Sequence, residues 1–530
     1  MQELFKKQLL KSACSSQWKK VGLGPHQGII IILSALHSKK SPLCGEFIDL
    51  LPLIEWCPKV GLDFIQLLPI NDSGFDNSPY NPTSTFALNF VYLSLRSLPH
   101  LEKKSKLQKS LQKIETQKAS EYFDYNRARA QKFKFLELYY DSHFNQVQKK
   151  PAYKSFLKKN SWVYDYGTYC ALCEEYQSDQ WQLWPKSCQN LNSKQKDLLC
   201  KKYKERIDFY IMIQFFCFKQ LQEVKKVAEK NKVFLMGDLP FLVSKTSCDV
   251  WSNPKLFLMN YAVGSPPDDL TPDGQNWNFP AYNWKELAKT DYKWWKTRLK
   301  ISETFFHIYR LDHVIGFFRT WNIPDGKTGA EGHFVPEDPN LWLNHGKDFL
   351  SILIKNSKML PIGEDLVIPQ TIKDVLRELG VCGTSILTWQ RTGAGGMDFV
   401  PSPLYTAATI THIASHDTVT LAQWWNKYPK VAKLYALWKG WKYTKTLDSK
   451  KRQSILQDSH QTSSLFHANL LNEYLALFPK MVHKDYNKER INYPGTPSKK
   501  NWRYRFVPSV EQIVNSRTLS NAIKTITTLP

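Results

Sequence analysis

"FFHIYRLDH" (305–313) runs from aromatic and aliphatic residues straight into Arg310, Asp312 and His313. Charged side chains in such a setting are rarely buried unless they are paired or in use. The run has the length and composition of a buried strand, and the charges stand where that strand would end.

Six further stretches share this form. They are "GIIIILSALHS" (28–38), "LDFIQLLPIND" (62–72), "KVFLMGDLPFLV" (232–243), "LPIGEDL" (360–366), "TSILTWQ" (384–390) and "ATITHIASHD" (408–417). Helix-like segments such as "RIDFYIMIQFFCFKQLQEVKKVAEK" (206–230) separate them. Short apolar runs alternating with helices read as repeated β-α units and a parallel sheet. In five of the runs a carboxylate follows the apolar part: Asp72, Asp238, Asp312, Glu364 and Asp417. A (β/α)8 barrel gathers the C-terminal ends of its strands on one face, where the active site is built. A doubly wound open sheet would place its functional groups at one crevice, and no G-x-G-x-x-G follows the first strand. The expected fold is therefore an α/β (β/α)8 barrel.

Residues 96–160 interrupt the rhythm with Lys/Gln-rich, helix-favouring sequence, expected as a helical insertion. Residues 420–480 also read as helical, a second excursion between late strands. No Pro/Gly/Ser linker and no internal repeat divides the 530 residues, so 1–530 reads as one catalytic unit.

The hydrophobic fraction of 42% and aromatic fraction of 14% fit a globular chain with a large core. Trp and Tyr number 18 and 25, and aromatic planes make platforms for sugars as well as core. The net charge of +24 raises nucleic acid as a partner, but the lysines are spread along the whole chain. Neither zinc-finger spacing nor a base-stacking motif accompanies them, which argues against nucleic acid. Ten cysteines scattered along the chain without a regular framework read as reduced thiols of a cytoplasmic protein. "GIIIILSAL" (28–36) is too short to span a bilayer, so no membrane association is expected.

Asp312, Glu364 and Asp417 stand at three expected strand ends. Glycoside chemistry needs two carboxyl groups flanking the bond: one donates a proton to the leaving oxygen, the other attacks the anomeric carbon or activates water. Arg310 would hold Asp312 ionised, whereas the apolar end of "LPIG" would raise Glu364 towards the range of a general acid. Asp417 would be a third anion for sugar hydroxyls. Each has a plainer reading. Asp312 beside Arg310 can be a structural ion pair, and "GED" is common turn chemistry. His412, His416 and Asp417 could be metal ligands, but on a strand residues 412 and 416 would lie some 13 Å apart.

The chain resembles glycoside hydrolase family 77 of the α-amylase clan, the amylomaltases or disproportionating enzymes. "SPYNPTSTFALN" (78–89), "GDLPFLVSKTSCDVWSNPKLF" (237–257), "GSPPDDLTPDGQNWNFPAYNW" (264–284), "YRLDHVIGFF", "IGEDLVIP", "ASHDTVTLAQWW" and "INYPGT" with "NWRYR" (491–505) follow in family order. The resemblance implies a barrel without cofactor or metal, acting on α-1,4-glucans by a retaining double displacement. It implies Asp312 as nucleophile, Glu364 as general acid/base and Asp417 as stabiliser of the transition state. Asp238, Arg310, His313 and His416 would line the sugar site, and Tyr80, Asp268, Gln275 and Trp277 match substrate-contacting positions. The expected function is transfer of an α-1,4-glucan segment to glucose or another glucan, such as a maltooligosaccharide or glycogen. A hydrolase with the same carboxylates is the alternative. Oligomeric state is left open.

The sequence departs from the common family pattern in two places. Ile315 stands where an Arg is usual, a form closer to the plant cytosolic type. Asp269 and Leu270 replace an aromatic pair of the 264–284 loop, which bears on acceptor stacking.

Overall fold

The computed structural model describes residues 2–528, apart from 103–104, 269–270, 393–397 and 497. Eight short parallel strands follow one another around a ring in chain order. They are β1 His26–Ile31, β2 Phe64–Leu67, β3 Phe234–Leu239 and β4 Ile308–Leu311. β5 Leu360–Gly363, β6 Gly383–Ile386, β7 Thr409–His412 and β8 Phe466–Leu470 complete it. β8 pairs back onto β1, from His26 opposite Phe466 to Ile30 opposite Leu470. The junction of β5 and β6 is closed by a parallel bridge between Ile362 and Cys382, with Gly363 N–H donating to the Cys382 carbonyl at 2.7 Å. The fold is a (β/α)8 barrel.

The strands close this way because nearly all of their residues are buried, as parallel strands covered on both faces require. Helices such as Lys204–Lys230, Lys293–Glu303, Trp342–Lys355 and Gln370–Leu379 lie between strands and supply the outer ring. Gly237, the residue before Asp238 on β3, leaves room for the Phe306 ring: a Cβ there would fall 2.4 Å from it. Close approach at this point keeps β3 and the turn before β4 in contact.

Seven of the strands fall on the seven apolar runs, each shorter than its run; five lie wholly inside, whereas β1 starts two residues and β6 one residue before its run. The eighth strand falls on none of them. Residues 420–480, read as helical, contain β8, whose sequence FHANL buries His467 and Asn469. Those polar residues hide it from a search for apolar runs, and local bonds satisfy them. His467 Nε2 meets Thr462 Oγ1 at 3.0 Å, and Asn469 Oδ1 accepts from Ile413 N–H at 2.7 Å. The second bond ties β8 to the segment that leaves β7.

Between β2 and β3 the chain forms helices Lys106–Glu115, Tyr125–Val147, Pro151–Lys159, Trp162–Glu175 and Ser193–Lys202 before Lys204–Lys230. Helical sequence therefore continues past residue 160. Two glutamines of the long helix fix the segment after β2. Gln214 exchanges a pair of bonds with the Leu88 backbone at 2.8 and 2.9 Å, and Gln220 does the same with Ser94 at 2.8 Å each.

A four-stranded antiparallel sheet, unexpected from the sequence, is inserted around β4. Its strands run in the order Gln275–Tyr282, Phe257–Ser265, Thr320–Pro324, His333–Val335. Gly264 permits its tightest approach, since a Cβ would lie 1.8 Å from the Gln275 carbonyl oxygen. Among the described residues no helix is long and apolar enough to cross a membrane.

Candidate active site

Three strand ends converge on one guanidinium. Arg310 on β4 sends Nη1 to both oxygens of Asp238 on β3, at 2.7 and 2.9 Å, and to Asp312 Oδ1 at 3.0 Å. Its Nη2 donates to Glu364 Oε2, just past β5, at 2.7 Å. Asp312 and Glu364 thus hang on neighbouring nitrogens of one planar fork. Their side chains keep 23% and 28% of their surface open, whereas Asp238 keeps 0%. The first two can meet a substrate; Asp238 serves Arg310 and Tyr80.

The turn after β4 aims these groups. His313 takes left-handed backbone angles, φ 46° and ψ 56°, which are uncommon for a side chain larger than glycine. That turn directs the His313 N–H to Glu364 Oε2 at 3.0 Å. Asp312 Oδ2 accepts from Phe241 N–H at 3.3 Å, in the segment leaving β3. Ile315 is half-buried in the following 3-10 turn, Val314–Phe317.

Charge is distributed against expectation. Burial raises the Asp312 carboxyl to about 7 in spite of Arg310, with Glu364 and Asp238 adding to the rise. Burial acts on Glu364 in the same sense, but Arg310 and the His313 N–H outweigh it and hold this carboxyl below its ordinary value. The expectation was the reverse. The physical reason is that Arg310 shares Nη1 between two carboxylates and gives Nη2 to Glu364 alone.

Asp417 approaches from the segment after β7. That strand stops at His412, so the extended geometry assumed for 408–417 does not hold beyond it. His412 is buried, with Nδ1 2.6 Å from the Ala468 carbonyl. His416 turns out of the strand line and stacks on Tyr80, ring centroids 4.8 Å apart. Its Nε2 lies 3.4 Å from Asp417 Oδ2. Burial alone would lower His416, but Asp417 raises it above its ordinary value, and Asp417 is held low in return. Tyr80 donates to Asp238 Oδ2 at 2.6 Å, which joins this pair to the Arg310 cluster.

Trp277, on the inserted sheet, meets the His313 ring edge-to-face at 4.9 Å and donates to Gln275 Oε1 at 3.0 Å. Asp268 Oδ1 accepts from Thr271 N–H and Oγ1 at 2.6 and 2.8 Å. Asp269 and Leu270 lie outside the described residues. Asp72, the remaining carboxylate after an apolar run, does not join the cluster: it accepts from Tyr166 Oη at 2.8 Å and the Gly74 N–H at 3.2 Å.

Three neighbours of the site escaped residue-by-residue reasoning. Asn492 Nδ2 donates to Asp417 Oδ1 at 2.7 Å, and Arg490 Nη2 to the Asp417 carbonyl at 2.6 Å. Trp502 lies 5.5 Å from the Tyr80 ring and 5.7 Å from His416. Asn492 and Trp502 fall within the C-terminal stretches "INYPGT" and "NWRYR", so the order of motifs carried a signal that spacing did not.

Arg310 gives a sharp expectation. Arg310→Met leaves one buried and two partly open carboxylates without their cation, which should cost about 3–5 kcal/mol unless they take up protons. Their folded pKa values would then lie above the unfolded ones, so stability should be greatest at low pH and fall as pH rises through the folded values. Thermal melts of this variant should show its deficit against the parent widening from pH 6 to pH 8. A deficit constant with pH would show that Arg310 does not carry the charge balance.

Residues 31–509 match a family model described as 4-alpha-glucanotransferase, glycoside hydrolase family 77. A 4-alpha-glucanotransferase of Chlamydia pneumoniae is 42% identical over 520 residues, 98% of each chain. The 4-alpha-glucanotransferase DPE2 of Oryza sativa is 34% identical over 324 residues, 58% of this chain and 34% of the rice protein. In fold, the chain resembles the Streptococcus agalactiae amylomaltase solved with acarbose. The TM-score is 0.80 at 23% identity, covering 95% of this chain and 99% of that one. With a barrel that brings Asp312, Glu364 and Asp417 to one face and a match over nearly its whole length, the chain belongs to glycoside hydrolase family 77, the 4-alpha-glucanotransferases.

Proposed function

We propose that this enzyme transfers α-1,4-glucan segments through a glycosyl ester on Asp312, with Glu364 as acid/base. One observation carries the reading: two partly open carboxyls share one buried guanidinium at adjacent strand ends. An Asp312 oxygen attacks the anomeric carbon while Glu364 gives its proton to the departing oxygen, and the reducing-end fragment leaves. The acceptor hydroxyl then attacks the same carbon and returns its proton to Glu364, and the Asp312 ester bond breaks. Two inversions give retention.

Attack needs Asp312 ionised and Glu364 protonated, so donor binding must act against the directions in which the empty site moves the two carboxyls. The two carboxyls titrate as a coupled pair. Asp417, held ionised by His416 and Asn492, faces the positive charge that develops on the sugar. Tyr80, Asp238, Asp268, Gln275, Trp277, Arg310, His313 and His416 form the surrounding sugar site. Trp277 and Tyr80 offer ring faces to the acceptor. The chain works as one catalytic unit in the cytoplasm, with 96–160 as an insertion, and needs no cofactor.

Maltooligosaccharides and glycogen are the substrates we assign. Incubation with uniformly labelled maltose and glycogen should move half of the label consumed into polymer and leave the other half as glucose. Label found only in glucose would rule glycogen out as acceptor.

A further inference from the structure

Arg298 lies on the helix Lys293–Glu303 with 0% exposure. None of its Nε, Nη1 and Nη2 atoms has a hydrogen-bond partner among the described residues. An unpartnered buried guanidinium is costly, and such a group in a folded protein calls for a reason. Its contacts are aromatic. The guanidinium carbon stands 4.9 Å from the Trp295 ring centroid and 5.7 Å from that of Trp294, which gives partial cation–π compensation.

Among the described residues no carboxylate pairs with it. Asp249 has its oxygens taken by Thr85 N–H, Thr85 Oγ1 and Trp294 Nε1, at 2.7, 2.9 and 2.9 Å. Burial pushes the Arg298 guanidinium below its ordinary value, and the anions that act against this are Asp249, Asp312 and Asp238. Two of these belong to the Arg310 cluster. A packed path runs the same way: the Tyr282 ring is 5.9 Å from Trp295, and its hydroxyl donates to the Phe241 carbonyl at 2.5 Å. Phe241 is the residue whose N–H donates to Asp312 Oδ2.

We infer that Arg298 is a positioning residue for Asp312: a cation held against Trp294 and Trp295, outside the substrate's reach, whose field favours the carboxylate that takes the glucan chain. This rests on Asp312 as nucleophile. Asp312 is otherwise faced by Arg310 on its own strand, Asp238 from β3, Glu364 from β5, Tyr80 from the segment after β2, and the adjacent His313. Within that set the anions outnumber Arg310, so a second positive charge matters. Water screens little inside a packed helix–barrel interface, so the field acts without contact.

The test compares the parent enzyme with Arg298→Met, Arg298→Lys and Asp312→Ala on maltotriose from pH 5 to 9. Arg298→Met should fold at least as stably, because an apolar side chain replaces an unpaired charge. The acidic limb of its kcat/KM profile should move up by about one pH unit, since Asp312 loses a favourable charge. KM should be unchanged, and Arg298→Lys should restore the limb. An unmoved limb in a folded Arg298→Met would overturn the proposal. So would failure of that variant to fold with rescue by Lys, which would make Arg298 the counter-ion of Asp249. Asp312→Ala judges the nucleophile separately: full activity there sinks that reading whatever Arg298 does.

Discussion

Asp312→Ala should lower kcat for maltotriose by roughly 10⁴–10⁶-fold, because no glycosyl-enzyme can form without the attacking oxygen. The fold should survive, since the substitution removes one of three anions around Arg310 and relieves crowding rather than creating it. KM should change little if Tyr80, Trp277 and Asp417 hold the sugars. The measurement is steady-state glucose release alongside a thermal melt. A loss below tenfold in a folded variant would place the nucleophile elsewhere.

Glu364→Ala should lower turnover of maltooligosaccharides by about 10²–10⁴-fold, the usual share of general acid catalysis. An activated donor such as α-maltosyl fluoride needs no proton on its leaving group, so it should still load Asp312. Added azide, which needs no base to attack, should then restore turnover and give maltosyl azide of retained configuration. Azide of inverted configuration would exchange the two roles. This experiment also bears on the resting charges. Normal catalysis needs a proton on Glu364, which the empty site disfavours, and the fluoride bypasses that need.

How much of this was visible in the amino-acid order depends on how local the physics was. β4 with Asp312, β5 with Glu364 and β7 announce themselves because buried parallel strands need continuous apolar runs and the polar end follows at once. β8 does not, because His467 and Asn469 are buried with partners supplied by Thr462 and Ile413. The inserted sheet is partly exposed, so its strands never show the unbroken apolar signature. Asp72 and Asp417 follow similar runs, yet one binds Tyr166 and the other faces the site; only the fold separates them. The same holds for charge. Arg310 is two residues from Asp312, which made that pair look dominant, but the guanidinium reaches across to β5 and favours Glu364. Sequence spacing orders neighbours along a strand and says nothing of the strand beside it.

Transfer and hydrolysis share every step up to the ester on Asp312. They part at what attacks it: water at about 55 M, or a sugar hydroxyl that must be bound and aligned, where effective molarities can reach 10⁵ M or more. The direct measurement is to follow total reducing ends and product lengths while the enzyme consumes maltotriose. Glucose and a ladder of longer glucans should appear with reducing ends nearly constant, because each bond broken is matched by one made. Reducing ends that climb as maltotriose disappears, with no longer glucan at any time, would contradict the account.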